Sequence, residues 1–166
     1  WNQLGNDIDG EASDDYSGES VALSSDGSIV AIGAIGNDDN GSNSGHVRLY
    51  QWDGSSWNQL GNDIDGEASD DYSGFSVALS SDGSIVAIGA LGNDDNGSNS
   101  GHVRLYQWDG SSWNKLGDDI NGENTGDNSG SSVALSSDGS IVAVGALYND
   151  DNGSNSGHVR LYQWDG

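Results

Sequence analysis

SVALSSDGSIVAIGA, residues 20–34, is the stretch on which the reading of this chain turns. It returns unchanged at residues 76–90, and with a single change, Val144 for Ile32, at residues 132–146. At the period of a strand, Val21 and Leu23 point one way while Ser20, Ala22 and Ser24 point the other. Asp26-Gly27 then separates two apolar runs, a hairpin signal because glycine accepts positive φ. The run from Ile29 to Ala34 is short, apolar and rich in β-branched side chains, which predicts a strand covered on both faces. Gly33, Gly36 and the Asp-Gly turn leave a helix too little length. A buried hairpin is predicted, three times over.

Working outward, Trp1, Trp57 and Trp113 open near-identical units, so the repeats run 1–56, 57–112 and 113–166 in one repeat domain. The first two differ only at Glu19/Phe75 and Ile35/Leu91, and the third departs mostly between Lys115 and Ser131. Within a unit, residues 1–4 read as a short strand and residues 6–19 as a long acidic loop. The core hairpin follows. Residues 36–45 hold no apolar side chain and read as a second loop. Residues 46–52, HVRLYQW, alternate cleanly, with Val47, Leu49 and Gln51 opposite His46, Arg48, Tyr50 and Trp52. Four short antiparallel strands in a unit of this length describe one propeller blade. The predicted fold class is all-β: a β-propeller-type array of three four-stranded blades.

The composition agrees with such a fold once its loops are set apart. Leu, Ile, Val and Phe fall below about one fifth of the chain, a level that with high charge suggests disorder. Here, however, they cluster into strand-length runs, and six Trp and six Tyr add large apolar area. The formal charge of −23 repels nucleic acid and anionic membranes and favours cations, calcium above all. No apolar run is long enough to insert in a membrane. With no cysteine, neither a disulfide framework nor a thiolate metal site is possible.

The unit resembles the FG-GAP repeat, the blade of integrin-α-like propellers, in its bacterial and algal variant. The family's Phe-Gly-x-Ser-Val stretch is matched by Ser17-Gly18-Glu19-Ser20-Val21, Ser73-Gly74-Phe75-Ser76-Val77 and Ser129-Gly130-Ser131-Ser132-Val133. Its Gly-Ala-Pro is matched by Gly33-Ala34-Ile35, Gly89-Ala90-Leu91 and Gly145-Ala146-Leu147. The Gly and Ala positions agree; the Phe and Pro positions do not. The resemblance implies a propeller fold and an extracellular or cell-surface place. Family blades that bind calcium do so with a D-x-D-x-D-G-x-x-D loop between the core strands. Ser25-Asp26-Gly27 is too short to wrap an ion in that way.

The third unit lacks the strand that Trp57 and Trp113 bring to the first two, while Trp1, Asn2, Gln3 and Leu4 are left over at the other end. This predicts strand exchange between copies, residues 1–4 of one pairing with His158, Val159, Arg160, Leu161, Tyr162, Gln163 and Trp164 of another. The product is a six-bladed dimer ring or a head-to-tail fibre. The function expected from this is an extracellular, non-catalytic structural or adhesive module whose partner is itself.

The alternative is a calcium-dependent or carbohydrate-binding propeller that takes a glycan or cell-surface ligand on its acidic loops. Asn37, Asp39 and Asn43, with Asn93, Asp95, Asn99, Asn149, Asp151 and Asn155, place oxygen side chains at intervals around a glycine. That pattern suits calcium and equally suits a tight turn that bonds its own backbone. The carboxylates of the first loop, Asp7, Asp9, Glu11, Asp14 and Asp15, recur in the second unit and are thinned in the third by Asn121, Gly126 and Asn128. They read as a solvated loop before an ion site. Asn40, Asn96 and Asn152 each begin an N-x-Ser sequon on a predicted loop. His46, His102 and His158 open the same strand in every unit and read as structural, and Arg48, Arg104 and Arg160 as stacked between blades. An active site needs one asymmetric arrangement, and nearly everything here occurs three times. No enzyme is expected.

Overall fold

A computed structural model describes all 166 residues, in thirteen strands and no helix. The first sheet is an antiparallel meander of β1 (Ser17–Leu23), β2 (Ile29–Ala34), β3 (His46–Trp52) and β4 (Trp57–Gln59), with β5 (Ile64–Asp65) also on β3. The second repeats it with β6 (Ser73–Leu79), β7 (Ile85–Ala90), β8 (His102–Trp108), β9 (Trp113–Lys115) and β10 (Ile120–Asn121). The third holds only β11 (Ser129–Leu135), β12 (Ile141–Ala146) and β13 (His158–Gln163). Each of the first two sheets therefore borrows its outermost strands from the following repeat.

Two expectations change at that outer edge. The fourth strand is broken in two. Residues 57–59 pair with the end of β3 and residues 64–65 with its start, and Gly61, at φ 81°, turns between them. Residues 1–4, predicted as a strand, are irregular, with Trp1 and Leu4 exposed. Their counterparts β4 and β9 are strands because β3 and β8 lie beside them; residues 1–4 have no such neighbour.

The core hairpins form as the alternation predicts. Val21 lies opposite Ile32 and Leu23 opposite Val30, with a bulge between Ser17 and Ser20. At the turn, Asp26 Oδ1 accepts from the Ser28 N–H (2.9 Å) and from the hydroxyls of Ser24 (2.7 Å) and Ser28 (2.8 Å). Those bonds, the Ser28 N–H first, hold the Asp26 carboxyl down to about 2. At Asp138 the Ser136 hydroxyl leads the same set, again to about 2. Asp53 and Asp109, which collect two N–H groups and three side chains each in the β3–β4 and β8–β9 turns, lie lower still.

The sheets stack face to face. Ile29, Ala31, Val47, Leu49 and Ile64 of the first meet Val77, Leu79, Val86 and Ile88 of the second. Ala87, Val103 and Leu105 of the second meet Val133, Leu135, Val142 and Val144 of the third in the same way. A side chain of this size gains roughly 1.5–3 kcal/mol when fully buried. Polar bonds stitch the same junctions. Ser25 N–H donates to Ser81 O and Ser81 N–H to Ser137 O, each at 2.8 Å, linking the three hairpin turns in a row. On the inner strands Ser20 Oγ donates to Gly74 O (2.6 Å) and Ser76 Oγ to Gly130 O (2.7 Å).

At these inner contacts the backbones approach so closely that a Cβ on Gly33 or Gly89 would strike the carbonyl of Gly74 or Gly130. Gly145, their counterpart in the third sheet, faces only the Ser132 side chain. Gly89→Ala is expected to cost about 1–3 kcal/mol by overpacking, and Gly145→Ala distinctly less, in urea unfolding of the two variants.

The turn carboxylates predict a pH dependence. A carboxyl whose folded value is depressed adds stability above its unfolded value and loses it as pH falls through the folded one. The variant Asp26→Asn/Asp82→Asn/Asp138→Asn should melt below the unchanged chain at neutral pH. The gap between their melting temperatures should close as pH drops from about 4 to about 2.

Candidate functional site

The rim where the loops of successive blades meet carries many polar side chains, and its backbone is held by local bonds. In the loop before β3, Asn37 Oδ1 accepts the Asp39 N–H (3.0 Å) and Asp38 Oδ1 accepts the Asn43 N–H (2.7 Å). Asn43 itself has a left-handed φ of 51°. The same bonds recur at Asn93, Asp94, Asp95 and Asn99, and at Asn149, Asp150, Asp151 and Asn155. Asn37, Asn93 and Asn149 are buried, and the side chains of the latter two donate to Asp71 and Asp127. The asparagines of the anticipated calcium set thus shape the turn, while the carboxylates of Asp39, Asp95 and Asp151 turn elsewhere. Among the sequon asparagines, Asn40 and Asn96 donate to Gly66 O and Gly122 O across the junction (2.7 Å each), and Asn152 is exposed.

The acidic loop is likewise built around one buried carboxylate. Asp15, Asp71 and Asp127 are buried and accept the N–H of Ala12, Ala68 and Asn124. Burial raises the Asp71 carboxyl. Asp14 and Tyr16, and Asp70 and Tyr72 after them, stand at positive φ. The third repeat puts Gly126 and Asn128 at these places, residues that accept that conformation at lower cost. The substitutions that looked like erosion of an ion site ease the backbone.

At the centre of the rim stands the histidine that opens β3. His46 is fully buried, and neither ring nitrogen has a hydrogen-bond partner. An unpaired buried polar group costs about 1–3 kcal/mol. Its Nδ1 looks toward Glu11 Oε2 at 3.7 Å and Asp63 Oδ2 at 3.9 Å, too far for hydrogen bonds. Asp39 completes the group, and one donor atom from each of the four residues lies within 4.8 Å of all the others.

Arg48, two residues on and on the same face, reaches Glu11 Oε1 at 3.5 Å. It donates to Asp9 O (2.8 Å), and its guanidinium lies 5.7 Å from the Tyr50 ring centroid. Gln59 Nε2 donates to the other oxygen of Asp63.

The second junction repeats the group with Glu67, Asp95, His102 and Asp119. His102 Nδ1 stands 3.8 Å from Glu67 Oε2. Burial first, and then the Arg104 guanidinium, push the imidazole down to about 4, so the ring is neutral at neutral pH. Lys115, the only lysine, replaces the glutamine found at 59 and pairs with Asp119 Oδ1 at 2.6 Å. The third group, Glu123, Asp151 and His158, has no fourth carboxylate, and His158 is partly exposed.

Sequence reasoning missed this constellation. It joins two loops, a strand start and the next repeat's edge, so no single repeat contains it. The visible signal was the histidine itself, a titratable residue at a buried strand start in every repeat.

The FG-GAP repeat family model matches the chain three times, at residues 7–50, 63–106 and 121–162. A search of curated protein sequences gave no match. Among solved structures, Kuenenia stuttgartiensis hydrazine synthase shares the fold, with a TM-score of 0.53 and 16% identity over 87% of this chain. The chain spans 44% of the length of the matched hydrazine synthase chain. No helix is long and apolar enough to cross a membrane. Three matched repeats in three stacked antiparallel sheets make this chain a member of the FG-GAP repeat family, built as a β-propeller-like repeat module.

Proposed function

We propose that this chain is an extracellular, non-catalytic structural or adhesive module that associates head to tail with copies of itself. One observation carries the reading: the two outer faces of the stack expose the same residues that its inner junctions bury. Val159 and Leu161 on the third sheet are 63% and 70% exposed, whereas their counterparts Val47 and Leu49 are 0% and 1% exposed. On the opposite face Val21 and Leu23 are exposed, whereas Val77 and Leu79 pack in the first junction. A second copy brings to each face the surface that an internal neighbour brings to its own.

The open edge of β13 fits residues 1–4 of that copy. Tyr50 pairs with Gln59, Gln51 with Asn58 and Trp52 with Trp57 in the first sheet. The same register would set Gln3 opposite Tyr162, Asn2 opposite Gln163 and Trp1 opposite Trp164. Trp1 and Trp164 are both exposed, whereas Trp52 and Trp57 stack with centroids 5.4 Å apart. Two copies would close a ring of six blades, within the roughly four to eight of closed propellers; an angle that does not close would give a fibre.

Light scattering and negative-stain imaging test this. Twice the chain mass of 17.1 kDa supports the ring, and long polymers support the fibre. A monomer at every concentration overturns self-association. Deleting residues 1–4, or changing exposed Leu161 to Glu, should leave a folded chain that no longer assembles. Unchanged assembly after the deletion would overturn strand exchange.

A further inference from the structure

The structure assigns a divalent transition-metal site to each of the two complete rim groups, with histidine Nδ1 as its nitrogen ligand. The first is formed by Glu11, Asp39, His46 and Asp63, the second by Glu67, Asp95, His102 and Asp119. This rests on the rim geometry alone and does not depend on self-association.

Three features point to a cation. First, the imidazole is enclosed and its Nδ1 meets no donor or acceptor of the protein, although it is aimed into a group of carboxylates. A buried nitrogen left in this way has lost its water without a replacement.

Second, the spacing suits a shared ion better than direct contact. Two ligand atoms each about 2.1 Å from one tetrahedral ion stand roughly 3.4 Å apart. The 3.7 Å and 3.9 Å separations at His46 and the 3.8 Å at His102 are slightly wider than that and too long for hydrogen bonds, so a small closing shift of the carboxylates would bring both atoms onto one ion.

Third, the charge does not balance. Three carboxylates meet one guanidinium, which takes the Oε1 of Glu11 and leaves Oε2 turned toward the imidazole. A dication offsets the remaining negative charge.

The donor set selects the class of ion. One imidazole with three carboxylates suits zinc and its first-row neighbours, whereas calcium takes oxygen ligands only. Two carboxylate ligands of the first site are also held, although the imidazole Nε2 has no partner. Arg48 fixes Glu11 and the Gln59 amide fixes Asp63, each through the oxygen that faces away from His46 Nδ1. With an ion on Nδ1 the ring proton resides on Nε2. The two sites are not equal, because Lys115 on Asp119 removes a further negative charge from the second. The first should therefore bind more tightly.

Isothermal titration of the whole chain with zinc chloride, beside thermal melting, tests the assignment. Two zinc ions per chain and a raised melting temperature are expected. His46→Gln should weaken one site and His102→Gln the other, each by about tenfold or more. Cobalt(II) loaded in place of zinc should show visible ligand-field bands that change in the double histidine variant. Because the histidines are buried, Asp63→Asn and Asp119→Asn, at less buried positions, provide a second pair if the first fails to fold. Lys115→Gln should tighten the second site.

No heat and no change in melting at millimolar zinc would overturn the proposal. So would zinc binding of unchanged stoichiometry and affinity in both pairs of variants, since that marks adventitious binding to surface carboxylates.

Discussion

A sheet of this chain cannot bury its apolar faces by itself, and the rest of the architecture follows from that constraint. Val47 and Leu49 lie on one face of the first sheet and are covered only because Val77, Leu79, Val86 and Ile88 arrive from the next. Stability in such an array sums contributions within units and at the junctions between them. The close approach of Gly33 to Gly74, and of Gly89 to Gly130, sets the spacing at the inner strands. The serine hydroxyls that reach across at Ser20 and Ser76 satisfy the carbonyls brought near by that approach. Apolar burial and polar stitching act on the same surface, so the interface is specific as well as favourable.

The same logic explains how so acidic a chain folds. Its carboxylates are kept in loops, and many are used there. Asp26, Asp53 and their counterparts gather backbone N–H groups and serine hydroxyls at the turns. Asp15, Asp71 and Asp127 hold the long loops from within. The few basic groups are placed where they count most, since Arg48 and Arg104 sit buried at the junctions with a glutamate and a tyrosine ring each. What remains unbalanced converges on the histidines at the rim. The polar chemistry of the chain is thus concentrated where one blade meets the next.

Near-identity of the repeats makes the differences between equivalent positions informative. Leu49 and Leu161 have the same sequence neighbours for several residues on either side, yet one is buried and the other open. His46 and His158 differ likewise. Nothing local separates these pairs; the presence of a following blade does. Position in the array, and not the residue, decides exposure.

The fold was legible because its signals are local. Alternation in HVRLYQW, the Asp-Gly turn and the return of the unit with each tryptophan require only neighbouring residues, and the FG-GAP pattern lies within single repeats. Three blades and a third sheet short of its outer strand could be read from the same features. The rim could not. Asp39 and Asn37 alternate as calcium ligands would, but whether an asparagine oxygen faces an ion or its own backbone depends on loop torsions that the residue order leaves open. Residues 1–4 are irregular in the single chain for a related reason, since a strand of that length forms only against a neighbouring strand. The convergence of His46 with Glu11, Asp39 and Asp63 comes from two loops, a strand start and the following repeat. The chain order by itself determined the blades and their turns, because those rest on short-range periodicity. Tertiary structure alone decided which polar groups meet, because that depends on how one twisted sheet is laid against the next.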